Sequence, residues 1–261
     1  MSDRRQRTTL ASDLVSRHRI DHVLVITMQR EAKRNAVNSE LADAIDAALN
    51  ELDDDDSLWA GVLTGGPSFF SAGSDLTSNG DYITSRGGEY GIIRRPRRKP
   101  LIAAVEGPAL GGGLEIVLAC DLVVAATTAR FGMPEVCIGV VPTCAGLFRA
   151  PQSFPLNLAR ELILTGEPIG AERAHAAGFV NVLVDPGAAL EGAVALAQRI
   201  CRNAPLSVQA CLAAVNALLA DDAEHGWAET ERAKAVIAGS EDSAEGVRAF
   251  LERRPPQWKA R

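Results

Sequence analysis

The amino-acid sequence predicts an α/β fold built around a parallel sheet. Short apolar, β-branched segments bounded by glycine or proline alternate with segments whose apolar residues recur at helical spacing, and from Leu156 the pattern becomes mainly helical. Alternation of this kind is typical of parallel βαβ units. At 261 residues, the chain is long enough to bury one sizeable core.

The first half of the chain supplies the predicted strands. Residues 1–12 are expected to form a frayed tail. Apolar and β-branched composition predicts strands over residues 22–29, 59–64, 101–105 and 122–126.

A helix is predicted between the first two of these strands. Ser39 is the expected N-cap, and Leu41, Ile45 and Leu52 recur at helical spacing. The helix ends in an acidic run, residues 53–56, which is expected to be solvated surface.

Residues 77–99 have no clear period and are expected to form an irregular or mobile segment beside a site. The segment ends in a basic run for which two interpretations remain open, contact with phosphates or a solvated loop. The run consists of Arg94, Arg95, Arg97, Arg98 and Lys99.

The second half supplies the predicted helices. Apolar spacing indicates six of them, over residues 156–164, 171–177, 190–200, 206–219, 223–238 and 244–253. The expected organisation is therefore a tail (1–12), a core domain (13–200) and a C-terminal helical region (201–261).

Composition and charge limit the class of protein. The formal net charge of -6 argues against nucleic acid or an anionic membrane surface as a partner. The start has no apolar stretch of a secretory signal, and no segment reaches the length of a transmembrane helix, so a cytoplasmic location is expected. The five cysteines have no Cys-x-x-Cys spacing and the four histidines are scattered, which predicts reduced thiols and no metal site.

The glycine-rich segment 107–120 is the centre of the predicted site. A strand leads into Gly111, Gly112 and Gly113, and an apolar helix follows, so Glu115 falls in the first turn of a buried helix. Backbone N–H groups are accessible where side chains are missing, and the helix N-terminus adds positive potential, which suits an oxyanion. The alternative is a turn that serves only packing, but an unpaired carboxylate among apolar neighbours would be costly.

A second small-residue turn, residues 72–74, follows the strand predicted at 59–64. Because the carboxyl ends of parallel strands meet at one edge of a sheet, N–H groups of both turns are expected to point at one substrate oxygen. Glu115 and Glu135 are expected to join them, and apolar surroundings should raise the pKa of each carboxyl toward neutrality. Two carboxyls without a metal-ligating histidine predict proton transfer.

Several short motifs follow one another in a characteristic order. They comprise residues 30–37, 70–76, 103–115, 120–121 and 131–135, then 139, 142, 161–166, 176–181 and 250–254. Together they resemble the crotonase (enoyl-CoA hydratase/isomerase) superfamily over nearly the whole chain from about residue 14. The resemblance implies the crotonase (ClpP/crotonase-like) fold, with stacked parallel ββα units and a C-terminal helical trimerisation region.

The resemblance also implies site roles. The N–H groups of Ser74 and Gly112 would form an oxyanion hole for an acyl-CoA thioester, with Glu115 and Glu135 as acid and base. The CoA-binding surface and the acyl end of the site would comprise Ala32, Lys33, Ala72, Asp75 and Thr143, with Phe250 and Arg253 approaching the CoA nucleotide in a neighbouring subunit. Coenzyme A enters as part of the substrate, no separate cofactor is expected, and the family forms trimers or hexamers.

The implied reaction is the reversible addition of water to an α,β-unsaturated acyl-CoA, within fatty acid metabolism. Thr143 and Cys144 place bulk near the acyl end, which puts a simple straight chain in doubt and leaves a polar or branched acyl group open. The alternatives are carnitinyl-CoA dehydration, double-bond isomerisation, thioester hydrolysis, or a CoA-binding protein with little catalysis. A dinucleotide-binding domain is disfavoured because the glycines lack G-x-G-x-x-G spacing.

Overall fold

A computed structural model describes residues 14–78 and 82–259, so the expected tail, residues 1–12, lies outside the described residues. The strands of the described part are β1 (Val15–Ile20), β2 (Val23–Met28), β3 (Ala60–Thr64), β4 (Ile83–Thr84), β5 (Gly88–Glu89), β6 (Leu101–Val105), β7 (Pro108–Leu110), β8 (Leu122–Ala126), β9 (Arg130–Gly132), β10 (Ile169–Gly170) and β11 (Val182–Val184).

The predicted helices after residue 156 are confirmed, with ends within three residues of those expected. The helices are α1 (Ser39–Asp54), α2 (Gly112–Leu118), α3 (Gly146–Ser153), α4 (Leu156–Thr165), α5 (Ala171–Ala176), α6 (Ala189–Cys201), α7 (Pro205–Leu218), α8 (Ala220–Ile237) and α9 (Glu241–Glu252). Two short 3₁₀ helices, Glu31–Lys33 and Pro134–Ile138, complete the described elements.

The main sheet confirms the predicted α/β class. Its strand order is β1-β2-β3-β6-β8-β11, and every neighbouring pair from β2 onwards is parallel. The antiparallel edge strand β1 was not predicted, because its central residues Arg17, His18 and Arg19 are exposed and give no apolar pattern. Ala193 and Ala197 of α6 pack on one face, and the larger apolar cluster, which includes α1 and α2, fills the other.

A smaller sheet, ordered β10-β9-β7, stands between the main sheet and the glycine-rich turn. The turn was expected directly after the strand at 101–105, but β7 intervenes and pairs in parallel with β9. This pairing carries the start of α2 and the 3₁₀ helix Pro134–Ile138 to the same place, since the latter follows β9 closely.

The helix α1 begins as predicted but with a different cap. The side chain of Asn38, not Ser39, accepts the N–H of Leu41 at 3.1 Å. At the other end Asp53 is buried, so the expectation of a fully solvated acidic run was wrong at this residue.

The partner of Asp53 comes from the basic run, in which Arg94 and Arg98 are exposed, as a solvated loop requires, but the other three cations have internal partners. Arg95 has a fully buried side chain and donates to Asp46 at 2.6 Å and to Asp53 at 3.0 Å. Arg97 is almost as buried and pairs with Asp121 at 2.6 Å.

Lys99 is also buried, with its Nζ within 2.8 Å of the carbonyl oxygens of Leu52 and Asp55. These three cations therefore anchor the segment internally and are available neither to phosphates nor to solvent. Within the described part of the segment, β4 and β5 form a short antiparallel hairpin.

The C-terminal helices are less buried than the rest. In this single chain no residue of α7 is buried, and Leu206, Val215, Leu218 and Val236 are more than half exposed. Among the described residues no single helix is long and apolar enough to cross a membrane, although α7 and α8, bent by 50°, reach that length and composition as a pair.

Candidate functional site

A cavity of about 820 Å³ lies between the glycine-rich turn, the 3₁₀ helix Pro134–Ile138 and α9. Most of the residues predicted for the site line it, namely Ser74, Gly112, Glu115, Glu135, Lys33, Ala72, Asp75, Thr143 and Phe250. Ala32 and Arg253 do not line the cavity of their own chain.

The backbone of Ser74 is oriented by an isolated parallel bridge to Val37. Val37 donates to the carbonyl of Gly73 at 2.7 Å and accepts the N–H of Asp75 at 2.9 Å. Because successive residues of an extended chain direct their backbone groups to opposite sides, the N–H of Ser74 points away from Val37.

Gly112 supplies a second free donor next to this turn. As the first residue of α2, it has an N–H without an intrahelical acceptor. A Cβ built on Gly73 would lie 2.7 Å from the nitrogen of Gly112, so the two turns are in contact. The structure thus brings together the two backbone donors that the sequence singled out.

Glu115 is a buried carboxyl with two backbone donors. It lies in the first turn of α2, as predicted, and is 2% exposed. Its Oε1 accepts the N–H groups of Cys144 and Gly146, each at 2.8 Å. Burial raises its pKa to about 7, against the opposing effect of the two N–H donors.

Glu135 occupies the first turn of the 3₁₀ helix Pro134–Ile138, with Oε1 beside the backbone of Gly111. Its buried Oε2 has no hydrogen-bond partner among the described residues. Burial, together with the nearby charge of Glu115, raises the pKa of Glu135 to about 8. The predicted shift of both carboxyls toward neutrality is therefore confirmed in direction.

The mouth of the cavity is basic on one side. Lys33 and Arg34 line it, and Arg34 lies 5.8 Å from the ring centre of Phe69. Asp75 also lines the cavity, but its carboxylate pairs with Arg30 at 2.7 Å, so it ties two loops together. Arg34 was not predicted as a site residue, although it follows Lys33 directly in the sequence.

The opposite side of the mouth is formed by α9 of the same chain. Phe250 lines the cavity together with Gly246 and Ala249, whereas the family resemblance placed it at a neighbouring subunit. Arg254, rather than Arg253, reaches the lining, and it pairs with Glu245 at 2.6 Å.

Sequence reasoning missed Tyr90 altogether. This residue lines the cavity and is 2% exposed, yet it belongs to a segment without any recognisable period. The described residues contain no group of three or more His, Cys, Asp or Glu side chains placed to hold a metal ion.

Comparison with known proteins agrees with this geometry. The family described as Enoyl-CoA hydratase/isomerase matches residues 19–261. The chain is 36% identical to the 2,3-dehydroadipyl-CoA hydratase of Escherichia coli, covering 95% of this chain and 98% of that protein. It is 35% identical to the short-chain-enoyl-CoA hydratase of Clostridium acetobutylicum, covering 89% and 92%.

Solved structures give the same result. A carnitinyl-CoA hydratase from Mycobacterium avium superposes with a TM-score of 0.90 at 40% identity, covering 95% of this chain and 99% of that one. An enoyl-CoA hydratase from Mycobacterium tuberculosis gives a TM-score of 0.77 at 42% identity, covering 95% and 100%. The chain has the crotonase fold, and it belongs to the enoyl-CoA hydratase/isomerase family.

Proposed function

We propose that this enzyme is a hydro-lyase that adds water reversibly to the double bond of an α,β-unsaturated acyl-CoA. The observation that carries the proposal is one cavity that holds the buried carboxyl of Glu115 and the half-buried Glu135, whose Oε2 is buried, beside two free backbone donors. Hydration takes a proton from water and adds a proton to the α carbon, two transfers that two carboxyls can divide between them, and the relatives bear the names of hydratases and dehydratases.

The thioester carbonyl is proposed to lie between the N–H groups of Ser74 and Gly112. Attack on the β carbon shifts electron density to the carbonyl oxygen, which fixed donors stabilise without reorganisation. Loss of one donor of this type costs about 3 to 4 kcal/mol of transition-state stabilisation. Both donors are backbone groups, so the side chain at residue 74 is free for another role.

The hydrogen bonds support a division of roles between the two carboxyls. Glu115 has two N–H donors that favour its ionised form, and we propose it as the base that takes a proton from water. Glu135 lacks a partner for Oε2 and is proposed as the acid that gives its proton to the α carbon. The water oxygen bonds to the β carbon. Glu115 then holds the proton taken from water and Glu135 has lost its proton, so one proton exchange returns each carboxyl to its starting state.

Lys33 and Arg34 are proposed to meet the phosphates of CoA, because both are exposed cations that line the cavity, whereas the third lining cation, Arg254, pairs with Glu245. In this scheme coenzyme A enters as part of the substrate, and no other cofactor takes part. Phe250 is proposed to cover the CoA moiety within its own chain; the roles predicted for Ala32 and Arg253 stay predictions.

A homotrimer, or a hexamer made of two trimers, is proposed as the assembly. The support is the apolar character of α7, where Leu206 and Leu218 are about 80% exposed in a single chain. Apolar surface of this extent is typical of a face covered by another subunit. The expected cytoplasmic location and the place in fatty acid metabolism stay predictions.

Hydration of crotonyl-CoA tests the proposal. Loss of the absorbance of the conjugated thioester should be rapid with the unmutated enzyme and should be abolished by both Glu115→Gln and Glu135→Gln. If the protein binds crotonyl-CoA without turnover, the same assay with crotonobetainyl-CoA and 2,3-dehydroadipyl-CoA tests a polar acyl group. Binding without hydration of any of the three would overturn the hydro-lyase proposal in favour of isomerisation, hydrolysis or binding alone.

A further inference from the structure

The hydroxyl of Tyr90 lies at the two residues that carry the proposed oxyanion donors. It is 2.7 Å from Oγ of Ser74, close enough for either group to donate a hydrogen bond. Burial holds the pKa of Tyr90 well above its usual range, so the phenol keeps its proton. A neutral hydroxyl pair therefore stands beside the Ser74 donor.

The same phenol packs against Gly112. A Cβ built on Gly112 would overlap the hydroxyl oxygen and the adjoining ring carbons of Tyr90, so only glycine permits this approach. The ring of Tyr90 thus fills the space beside Gly112, while its hydroxyl forms a hydrogen bond with the side chain of Ser74. Tyr90 is in a position to determine the separation of the two donors.

The backbone holds Tyr90 in an unfavourable conformation. Its φ is +55°, a left-handed value that is uncommon for a bulky residue. Such conformations persist only where surrounding contacts over-determine them, and they cluster at functional sites. The N–H of Tyr90 donates to the carbonyl of Tyr82 at 2.8 Å, and the buried Arg95 anchors the segment a few residues later.

We propose that Tyr90 is a positioning residue of the oxyanion hole, holding Ser74 and Gly112 at the spacing in which both N–H groups meet one thioester oxygen. This inference rests on the proposed function, since it assumes that a thioester carbonyl binds there. In this arrangement Ser74 contributes its backbone N–H to the oxyanion hole and its side-chain hydroxyl to the hydrogen bond with Tyr90.

The test compares Tyr90→Phe, Ser74→Ala and the double variant with the unmutated enzyme. Tyr82→Phe is the comparison variant: it removes a phenol hydroxyl from the same segment, one that bonds to Ser78 and to the carbonyl of Asp75 but not to the side chain of Ser74. The readouts are kcat and KM for crotonyl-CoA, and the absorbance of bound cinnamoyl-CoA. That band moves to longer wavelength when the thioester carbonyl is polarised, whether or not hydration follows.

We expect each single variant to lower kcat about 10-fold, the equivalent of one hydrogen bond, with KM changed less than about twofold. The double variant should be no slower than either single variant by more than about twofold, because both remove the same interaction. The absorbance shift of bound cinnamoyl-CoA should shrink in Tyr90→Phe and Ser74→Ala, and it should persist in Tyr82→Phe.

An unchanged kcat and an unchanged absorbance shift in Tyr90→Phe would overturn the proposal and leave Tyr90 as a packing residue. Additive losses in the double variant would also overturn it, and Ser74→Ala provides a test even if Tyr90→Phe does not fold. If the enzyme hydrates none of the substrates but still shifts the cinnamoyl-CoA band, the hydro-lyase proposal is overturned. The absorbance shifts of the variants then still test the inference about Tyr90. If the unmutated protein binds cinnamoyl-CoA without any shift, the oxyanion hole is absent and the inference fails with it.

Discussion

Glu115 adds to the effect of burial in raising the pKa of Glu135, because the two carboxyls share one cavity and their charges repel. Glu115 receives two backbone N–H donors, from Cys144 and Gly146, whereas Oε2 of Glu135 has no hydrogen-bond partner among the described residues. The asymmetry supports the proposed location of the shared proton on Glu135 near neutral pH. We therefore expect Glu135 to affect the rate of hydration, its pH dependence and the stability of the fold.

Glu135→Gln should lower kcat by about 10²- to 10⁴-fold, the range typical of a lost general acid. Glutamine has nearly the same shape but gives no proton to the α carbon, so the affinity for acyl-CoA should change little. Stopped-flow hydration and equilibrium binding of a saturated acyl-CoA measure the two quantities. A variant that keeps most of its activity would remove Glu135 from the mechanism.

The pH dependence of kcat/KM should be bell-shaped with its maximum between about pH 7 and 8. Activity should rise as Glu115 ionises with a pKa of about 7, and fall as Glu135 loses its proton with a pKa of about 8. Because the two groups interact, the limbs report values for the pair. A profile flat from pH 5 to 9 would contradict the acid/base assignment.

Glu135→Gln should also make the protein more stable at neutral and alkaline pH. The folded pKa of about 8 exceeds the ordinary value of 4.5, so the folded state favours the protonated carboxyl. That contribution is fully present below about pH 4.5 and is lost as pH rises to about 8. The gain in Tm of the variant should grow across this interval; a constant difference would show that the carboxyl is not buried as described.

Arg95→Met should destabilise the fold by about 3 to 5 kcal/mol, because Asp46 and Asp53 would be left buried without their cation. The matched control is Arg173→Met, which breaks a pair with Glu161 that is exposed on both sides. Its cost should stay below about 1 kcal/mol. Urea unfolding of both variants gives the comparison, and equal losses would contradict the assigned role of Arg95.

Gly246→Val should weaken acyl-CoA binding, since a Cβ at this residue would overlap the carbonyl oxygen of Ile138. The α9 helix packs there on the 3₁₀ helix that carries Glu135, so displacement affects both the cover and the carboxyl. Overpacking of this type costs about 1 to 3 kcal/mol, and we expect KM to rise about 10-fold.

Ala244→Val is the control for Gly246→Val. It introduces the same side chain on an exposed position of the same helix, so its effect on KM should be less than about twofold. Similar KM values for the two variants would show that the helix does not cover the substrate.

Local sequence patterns were sufficient to predict much of the fold and part of the site. Apolar runs identified β2, β3, β6 and β8 and the later helices, because burial of a strand or a helix face depends on neighbours in the sequence. The glycine-rich turn and the apolar residues around Glu115 marked the site for the same reason. Local patterns did not reveal β1, whose central residues are charged, or the cap at Asn38, which lies next to another suitable polar residue.

The remaining features depend on contacts between residues far apart in the sequence. Arg95 pairs with Asp46, 49 residues away, and a basic run gives no sign of its partner. Tyr90 reaches Ser74 and Gly112 from a segment without a period, held at a positive φ by tertiary contacts. The sequence alone therefore predicted two carboxyls and a glycine-rich turn as the site, whereas three-dimensional packing determined the shifts of their pKa values and the residues that hold them in place.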